Sequence, residues 1–149
     1  MEMSLTVPVA CVSDGSQSRR FWKYLWSCNI LHNCHFAWRA CKDVLPTKEN
    51  LVRYKVLLDS VCDECHVEEE SLAHLFWRCQ RASEIWHTST LFQGSGSSQF
   101  GSFMDMLWYV VMIAQWDHSG VEKLIVIAWV LWSNRNECRN GGAKNQVRP

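Results

Sequence analysis

Cys62-Asp-Glu-Cys65 is followed after eight residues by His74, and after four more by Cys79. This C-x2-C-x8-H-x4-C spacing gathers three thiols and one imidazole within a short stretch of chain. Cysteine sulfur and histidine nitrogen are ligands that tetrahedral zinc prefers, and four of them leave no open position for a catalytic water. The spacing therefore predicts one structural Zn2+ ion held by Cys62, Cys65, His74 and Cys79.

The two halves of the motif require different backbone geometry. Cys62 and Cys65 can reach one metal ion from a single tight turn. On a continuous α-helix, His74 and Cys79 would point about 140° apart, because five residues rotate by about 100° each. We therefore predict a helix that carries His74 and ends before Cys79, so that the chain turns back to complete the site.

Other interpretations of this stretch fit the sequence less well. A redox pair at Cys62 and Cys65 would need a βαβ context that is missing, and the acidic residues between them are expected to raise the thiol pKa values. His66 directly follows Cys65 and would strain a chelate ring. Residues Glu68–Glu70 could act as a general base, but we expect a solvated acidic loop before a helix capped by Ser71.

The charge of the chain is balanced overall but unevenly distributed. The 149 residues carry 15 basic and 15 acidic side chains, so no global charge marks a nucleic-acid-binding protein. Basic residues predominate in residues 19–55, and acidic ones in residues 56–77. The basic side chains near a turn, which we do not expect in a core, are the candidates for contact with RNA or DNA phosphates: Lys42, Lys48, Arg53 and Lys55.

The first ten residues do not look like a targeting signal, since they lack a basic segment and a long apolar run. We therefore expect an intracellular protein of the nucleus or cytoplasm, not a secreted one, with reduced cysteines. Residues 104–116 and 124–132 are apolar, but both runs fall short of the ~20 residues that a membrane helix needs. We interpret them as buried helices and expect no membrane partner.

The periodicity of apolar residues predicts a mainly α fold: a small helical domain with a zinc-bound turn and helix. Thr47 is a predicted helix N-cap. Four tryptophans at helical spacing are predicted to lie in the core: Trp22, Trp26, Trp38 and Trp86. The predicted division is a flexible arm at 1–18, a zinc-binding domain at 19–92, a Gly/Ser linker at 93–102, a C-terminal helical pair at 103–138 and a disordered tail at 139–149.

Several short segments occur in a specific order and spacing: Phe21-Trp-Lys-Tyr-Leu-Trp26, Phe36-Ala-Trp-Arg39, Leu45-Pro-Thr47, Cys62-Asp-Glu-Cys65, Glu70-Ser-Leu-Ala-His74-Leu-Phe-Trp-Arg-Cys79 and Ile85-Trp86. Together they resemble the zinc-binding domain of plant LINE-type (non-LTR) retroelement reverse transcriptases. A weaker resemblance covers Trp129-Val-Leu-Trp132 with Arg135-Asn136.

The resemblance implies the same four zinc ligands and descent from a retrotransposon polyprotein, with a reverse transcriptase or RNase H module as a partner. The catalytic motifs of those enzymes are missing from this sequence. It has no Tyr/Phe-x-Asp-Asp polymerase motif, and only Asp105 and Asp117 follow Asp63, too few for a two-metal nuclease site. We expect a non-catalytic module without a small-molecule substrate.

Two functional classes remain open for such a module. One is an accessory element that binds RNA or DNA through the basic residues above, with a strong dependence on salt. The other is a zinc-stabilised protein-interaction module without nucleic-acid binding, in which exposed Trp129 and Trp132 dock a partner.

Overall fold

A computed structural model describes residues 15–28, 31–89, 91 and 100–139. They form six α-helices and two π-helical turns: α1 Gly15–Trp26, α2 Leu31–Cys41, α3 Lys48–Arg53, the π-helical turn His74–Arg78, α4 Gln80–Thr88, α5 Phe103–Trp108, the π-helical turn Tyr109–Ile113 and α6 His118–Arg139. The described part contains no β-strand beyond an isolated antiparallel bridge between Val61 and Glu69. The mainly α prediction is confirmed.

A single apolar core joins the two parts that the sequence analysis separated. Phe36 of α2, Phe76 of the first π-helical turn and Phe103 of α5 meet with ring centroids 5.3–6.2 Å apart. Helix α6 adds a buried stripe that includes Leu124, Ile125 and Ala128. The predicted zinc-binding domain and the predicted helical pair therefore share one core.

The ends of the elements differ from the predicted boundaries where the structure describes them. Helix α1 begins at Gly15, inside the predicted arm, and α6 continues to Arg139, the first residue of the predicted tail. Phe100, in the predicted linker, is buried, and the Ser102 hydroxyl accepts a hydrogen bond from the Asp105 N–H to cap α5. The rest of the predicted arm, linker and tail (1–14, 93–99 and 140–149) lies outside the described residues.

The apolar runs near the C-terminal end form α5, the second π-helical turn and α6, all of which contribute buried side chains. Among the described helices, none combines the length and the apolar character needed to cross a bilayer.

The four tryptophans predicted to lie in the core have different environments. Trp86 is buried, as predicted, and its indole N–H donates to the Phe76 carbonyl. Trp22 is only partly buried. Trp26 and Trp38 are 46% and 40% exposed, so the core prediction is wrong for them.

The error has a geometric cause. In α1, Phe21 and Leu25 form one stripe at i and i+4, and Trp22 and Trp26 form a parallel stripe one residue further on. The Phe21–Leu25 stripe is fully buried, which turns its neighbour toward solvent. Periodicity alone cannot tell two adjacent apolar stripes apart, because both repeat at the same interval.

Candidate metal centre

A tight hairpin presents the first two cysteines. Its ends are joined at Val61 and Glu69, and the Cys62 N–H donates to the Glu68 carbonyl at 2.8 Å. The chain reverses through a turn in which the His66 N–H donates to the Cys62 carbonyl and His66 adopts a φ of 61°. His66 is exposed on this turn and is not part of the ligand cluster, as the sequence analysis expected.

Backbone amides point at both sulfur atoms of the hairpin. The Glu64 N–H donates to Cys62 Sγ at 3.2 Å, and the Val67 N–H donates to Cys65 Sγ at 3.4 Å. The amides of Glu68 and Val67 lower the pKa of the Cys65 thiol, because they stabilise its thiolate. The expectation that the adjacent acids would raise the thiol pKa values is therefore wrong for Cys65.

A hydrogen bond to a carboxylate orients the imidazole ligand. The Ser71 hydroxyl accepts from the His74 N–H at 3.1 Å, which starts the helical turn as predicted. His74 Nδ1 lies 3.1 Å from Glu68 Oε1, and its Nε2 lies 3.5 Å from Cys65 Sγ. An ionised carboxylate only accepts hydrogen bonds, so Nδ1 carries the proton and Nε2 offers its lone pair to the sulfur cluster.

The π-helical turn explains how the last ligand reaches the site. The Cys79 N–H donates to the His74 carbonyl at 2.8 Å, a bond between residues five apart that a regular α-helix does not form. Cys79 itself is extended, with φ −66° and ψ 143°, before α4 begins at Gln80. The prediction of a helix that ends before Cys79 is confirmed, and the wider turn compensates for the 140° phase difference.

The four predicted ligands converge. One ligand atom each from Cys62, Cys65, His74 and Cys79 lies within 4.8 Å of every other, and all except the half-buried Cys65 are buried. A tetrahedral zinc with bonds of 2.0–2.3 Å places its ligand atoms roughly 3.3–3.8 Å apart. The cluster is therefore able to hold one zinc ion after a small contraction.

Because two of the three thiols of this cluster are buried, zinc binding would have to remove protons from them. Without a cation, burial raises the pKa of the Cys79 thiol to about 11, and the nearby Cys62 adds to this effect. A zinc ion binds thiolates, so it would replace protons at these sulfur atoms. The chemistry of the donors suits zinc: three thiolates and one neutral imidazole, with N–H donors already directed at two sulfurs.

Glu70 is a structural residue that the sequence analysis missed. It was expected in a solvated loop, yet it is only 3% exposed. Its carboxylate accepts from the Lys48 N–H at 2.8 Å and forms two hydrogen bonds with the Arg135 guanidinium, at 2.6 and 2.8 Å. The Glu70–Arg135 ion pair joins α6 to the segment that leads into the helical turn of His74. Nothing local in the sequence signals it, because Arg135 lies 65 residues away.

Lys48 is the candidate phosphate ligand whose environment differs most from the prediction. Its ammonium donates to the Val61 carbonyl and to Asp63 Oδ1, both at 2.9 Å, and its side chain is only 10% exposed. The hydrogen bond from Lys48 is the main reason that the pKa of Asp63 is lowered. Lys48 therefore attaches the cysteine hairpin to α3, and its charge is already compensated within the fold.

The other candidate cations are exposed and lie on two different elements. Lys42 follows α2, and its Nζ lies 5.5 Å from the centre of the Trp22 ring. Arg53 ends α3, where its guanidinium bonds Asn50 and lies over Tyr54. Lys55 follows with a φ of 65°.

A cavity of about 300 Å3 lies beside the cluster, between the cysteine hairpin, α4 and α6. Cys62 and Cys79 line it together with Arg81, Leu131 and Arg135. Two arginines that line the cavity are paired with carboxylates. Arg81 pairs with Glu64 at 2.9 Å, and Arg135 pairs with buried Glu70 at 2.6 Å.

Residues 10–86 match the sequence model of a family described as zinc-binding in reverse transcriptase. The match spans just over half of the chain and includes all four ligands of the cluster. No curated protein and no solved structure matches the chain. The chain therefore belongs to the family of zinc-binding domains of reverse transcriptases.

Proposed function

We propose that this chain is a non-catalytic structural zinc module, derived from a plant LINE-type retrotransposon reverse transcriptase, that serves as an accessory nucleic-acid-binding element. The complete set of three cysteines and one histidine carries the proposal. Four protein ligands fill a tetrahedral zinc, so no coordination position is left for a catalytic water. The Glu68–His74 contact fits this role, since it fixes one orientation of the ligand.

Two observations support contact with RNA or DNA. The family is described from reverse transcriptases, which act on nucleic acid. In addition, the side chains of Lys42, Arg53 and Lys55 are exposed. Lys48 forms an ion pair with Asp63, so we no longer propose it as a phosphate ligand. A reverse transcriptase or RNase H module is the protein partner that this origin implies. The cysteines of the described residues are free thiols, which supports an intracellular location in the nucleus or cytoplasm.

One surface of α6 favours the alternative, a protein-interaction module that does not bind nucleic acid. Val126, Trp129 and Val130 lie at i, i+3 and i+4 and are each 37–41% exposed. Trp132, which was expected beside Trp129 on this surface, is buried, and Arg135 lies 4.7 Å above its ring. The alternative therefore depends on Trp129 and not on Trp132.

Filter binding of the zinc-loaded chain to labelled single-stranded and duplex oligonucleotides, at about 50 and about 200 mM salt, separates the two functions. An accessory nucleic-acid element should bind at the lower salt concentration and lose affinity steeply at the higher one, because phosphate contacts release counterions. Absent or salt-insensitive binding would reject this function in favour of the protein-interaction module. Primer extension and nuclease assays on the same sample should show no activity.

A further inference from the structure

Helices α1 and α2 share an outward surface that we call the tryptophan face. Its α1 residues begin at Arg19 and follow the spacing i, i+3, i+4 and i+7. The same spacing recurs from His35 on α2 and ends at Lys42, just after that helix. The members of the face are Arg19, Trp22, Lys23, Trp26, His35, Trp38, Arg39 and Lys42. All are exposed except Trp22, which is partly buried.

Contacts between the helices show that these residues form one surface. Trp26 meets His35 edge to face, with ring centroids 5.5 Å apart, near one end. Lys42 Nζ lies 5.5 Å from the Trp22 ring near the other end. The two helices therefore run antiparallel, and their outward residues lie side by side.

The tryptophan face is basic and carries exposed aromatic rings. Residues 15–42 contain no acidic side chain, yet the face includes two arginines and two lysines. Elsewhere, Lys48, Arg81 and Arg135 are each paired with a carboxylate. Among the described residues, none of the four cations of the face forms an ion pair with a carboxylate, so the tryptophan face combines positive charge with exposed indole rings.

We propose that the tryptophan face binds single-stranded RNA or DNA, with bases stacked on Trp26 and Trp38 and phosphates held by the neighbouring cations. The inference rests on the proposed nucleic-acid function and assigns it to a surface outside the α3 region. Base stacking on aromatic rings is independent of sequence, and it requires unpaired bases.

Two features favour a nucleic acid over a protein partner. Protein interfaces have an apolar centre depleted of charge and a polar rim. Here Trp22-Lys23 and Trp38-Arg39 alternate an indole with a cation throughout the face, which suits a strand that offers a base and a phosphate at every nucleotide. Trp26 on α1 and Trp38 on α2 also provide two separate exposed stacking positions.

The first test compares two double variants that remove the same charge. Arg39→Gln/Lys42→Gln lies on the tryptophan face, and Arg78→Gln/Lys123→Gln changes two exposed cations on the first π-helical turn and on α6. Fluorescence anisotropy with a labelled single-stranded oligonucleotide should show at least about tenfold weaker binding for the first variant, and a slope of log K against log salt that falls by about 1.4. The Arg78→Gln/Lys123→Gln control should bind almost as well as the wild type.

The second test addresses stacking. Trp38→Ala should weaken single-strand binding by roughly 5- to 150-fold, the range expected for one stacked base. Trp129→Ala is the matched control, because Trp129 is 41% exposed on α6 and Trp38 is 40% exposed on α2. The Trp129→Ala variant should bind the single-stranded oligonucleotide with unchanged affinity. A duplex of the same sequence should bind the wild type more weakly than the single strand.

The outcomes separate this inference from the proposed function. Salt-sensitive binding by the wild type that survives both Trp38→Ala and Arg39→Gln/Lys42→Gln would overturn the tryptophan face and leave the proposed function intact. Wild type that binds no oligonucleotide would overturn both. Binding to anionic vesicles but not to oligonucleotides would also overturn both, in favour of a membrane surface. Circular dichroism checks that each variant is folded, and Trp26→Ala replaces Trp38→Ala should the latter unfold.

Discussion

Between residues 46 and 71, all of them described, Cys62 is the one buried apolar side chain, and the other buried residues are Thr47, Lys48, Asn50 and Glu70. We call this stretch the polar segment. The neighbouring helices bury aliphatic and aromatic side chains instead, such as Phe21, Phe76 and Leu124. The polar segment is stabilised by hydrogen bonds, ion pairs and a metal site, and the helical core by apolar burial.

This contrast indicates which part of the fold depends on the metal. Apolar burial is the main favourable term in folding, and the polar segment has little of it. Buried polar groups are costly unless they are paired, so this segment needs its partners all present at once. We expect zinc to set the stability of the polar segment, while the helical core folds largely through its own packing.

Loss of a ligand should have the largest effect. His74→Ala should abolish zinc binding, which contributes about 10–16 kcal/mol of apparent free energy in small zinc domains. Hydrogen exchange should then show lost protection in residues 46–71, with α6 still protected. His66→Ala is the matched control, because this exposed histidine lies outside the cluster, and it should keep the metal. Equal loss of protection in α6 would contradict the comparison.

Glu70→Gln should have the next largest effect, on the link between the polar segment and α6. It leaves the Arg135 guanidinium partly buried without a counter-charge, which costs roughly 3 kcal/mol in the free energy of unfolding. Glu69→Gln, a change at the exposed neighbour, should stay within about 0.5 kcal/mol. The double variant Glu70→Gln/Arg135→Met should recover most of the loss, because no unpaired charge remains. Urea denaturation measures all three.

Glu68→Gln should weaken zinc binding without unfolding the helical core. The amide can still accept from His74 Nδ1, but the negative charge that strengthens the imidazole as a ligand is gone. Loss of such a partner typically lowers metal affinity by about 10- to 100-fold. Competition with a coloured chelator measures the affinity, again with Glu69→Gln as control. An unchanged affinity would show that the Glu68 contact does not tune the site.

The smallest effect concerns the turn that leads into the cysteine hairpin. Lys55 follows α3 in a left-handed conformation, and the Val56 N–H donates to the Leu51 carbonyl, as in a helix C-cap that usually uses glycine. Lys55→Gly should therefore stabilise the fold by about 0.5–1 kcal/mol, or raise the Tm by about 1–4 °C. Lys55→Ala keeps the Cβ atom and should give no such gain. Thermal denaturation of both variants with zinc bound tests this.

The metal site could be predicted from the sequence because its requirements are local. The ligand types, the tight turn at Cys62 and Cys65, and the need for a break before Cys79 all follow from spacing and helix geometry. The Thr47 cap was predictable for the same reason, and its hydroxyl accepts from the Asn50 N–H. What spacing did not reveal is the π-helical turn, which changes the phase of the helix at the ligands.

Most of the remaining errors come from packing between segments that are distant in sequence. Glu70 is buried because Arg135 reaches it from α6, and Lys48 because Asp63 comes from the cysteine hairpin. Trp26 and Trp38 are exposed because adjacent residues on their helices face the core. Each outcome depends on how helices pack in three dimensions, which the apolar periodicity of one helix does not specify.

Inductively coupled plasma mass spectrometry of freshly purified, reduced chain measures whether the cluster holds zinc. We predict one zinc ion per chain, lost together with the hydrogen-exchange protection of residues 46–71 when a strong chelator is added. A reduced, folded chain without stoichiometric zinc would contradict the account, because the cluster of Cys62, Cys65, His74 and Cys79 would then not be a metal centre.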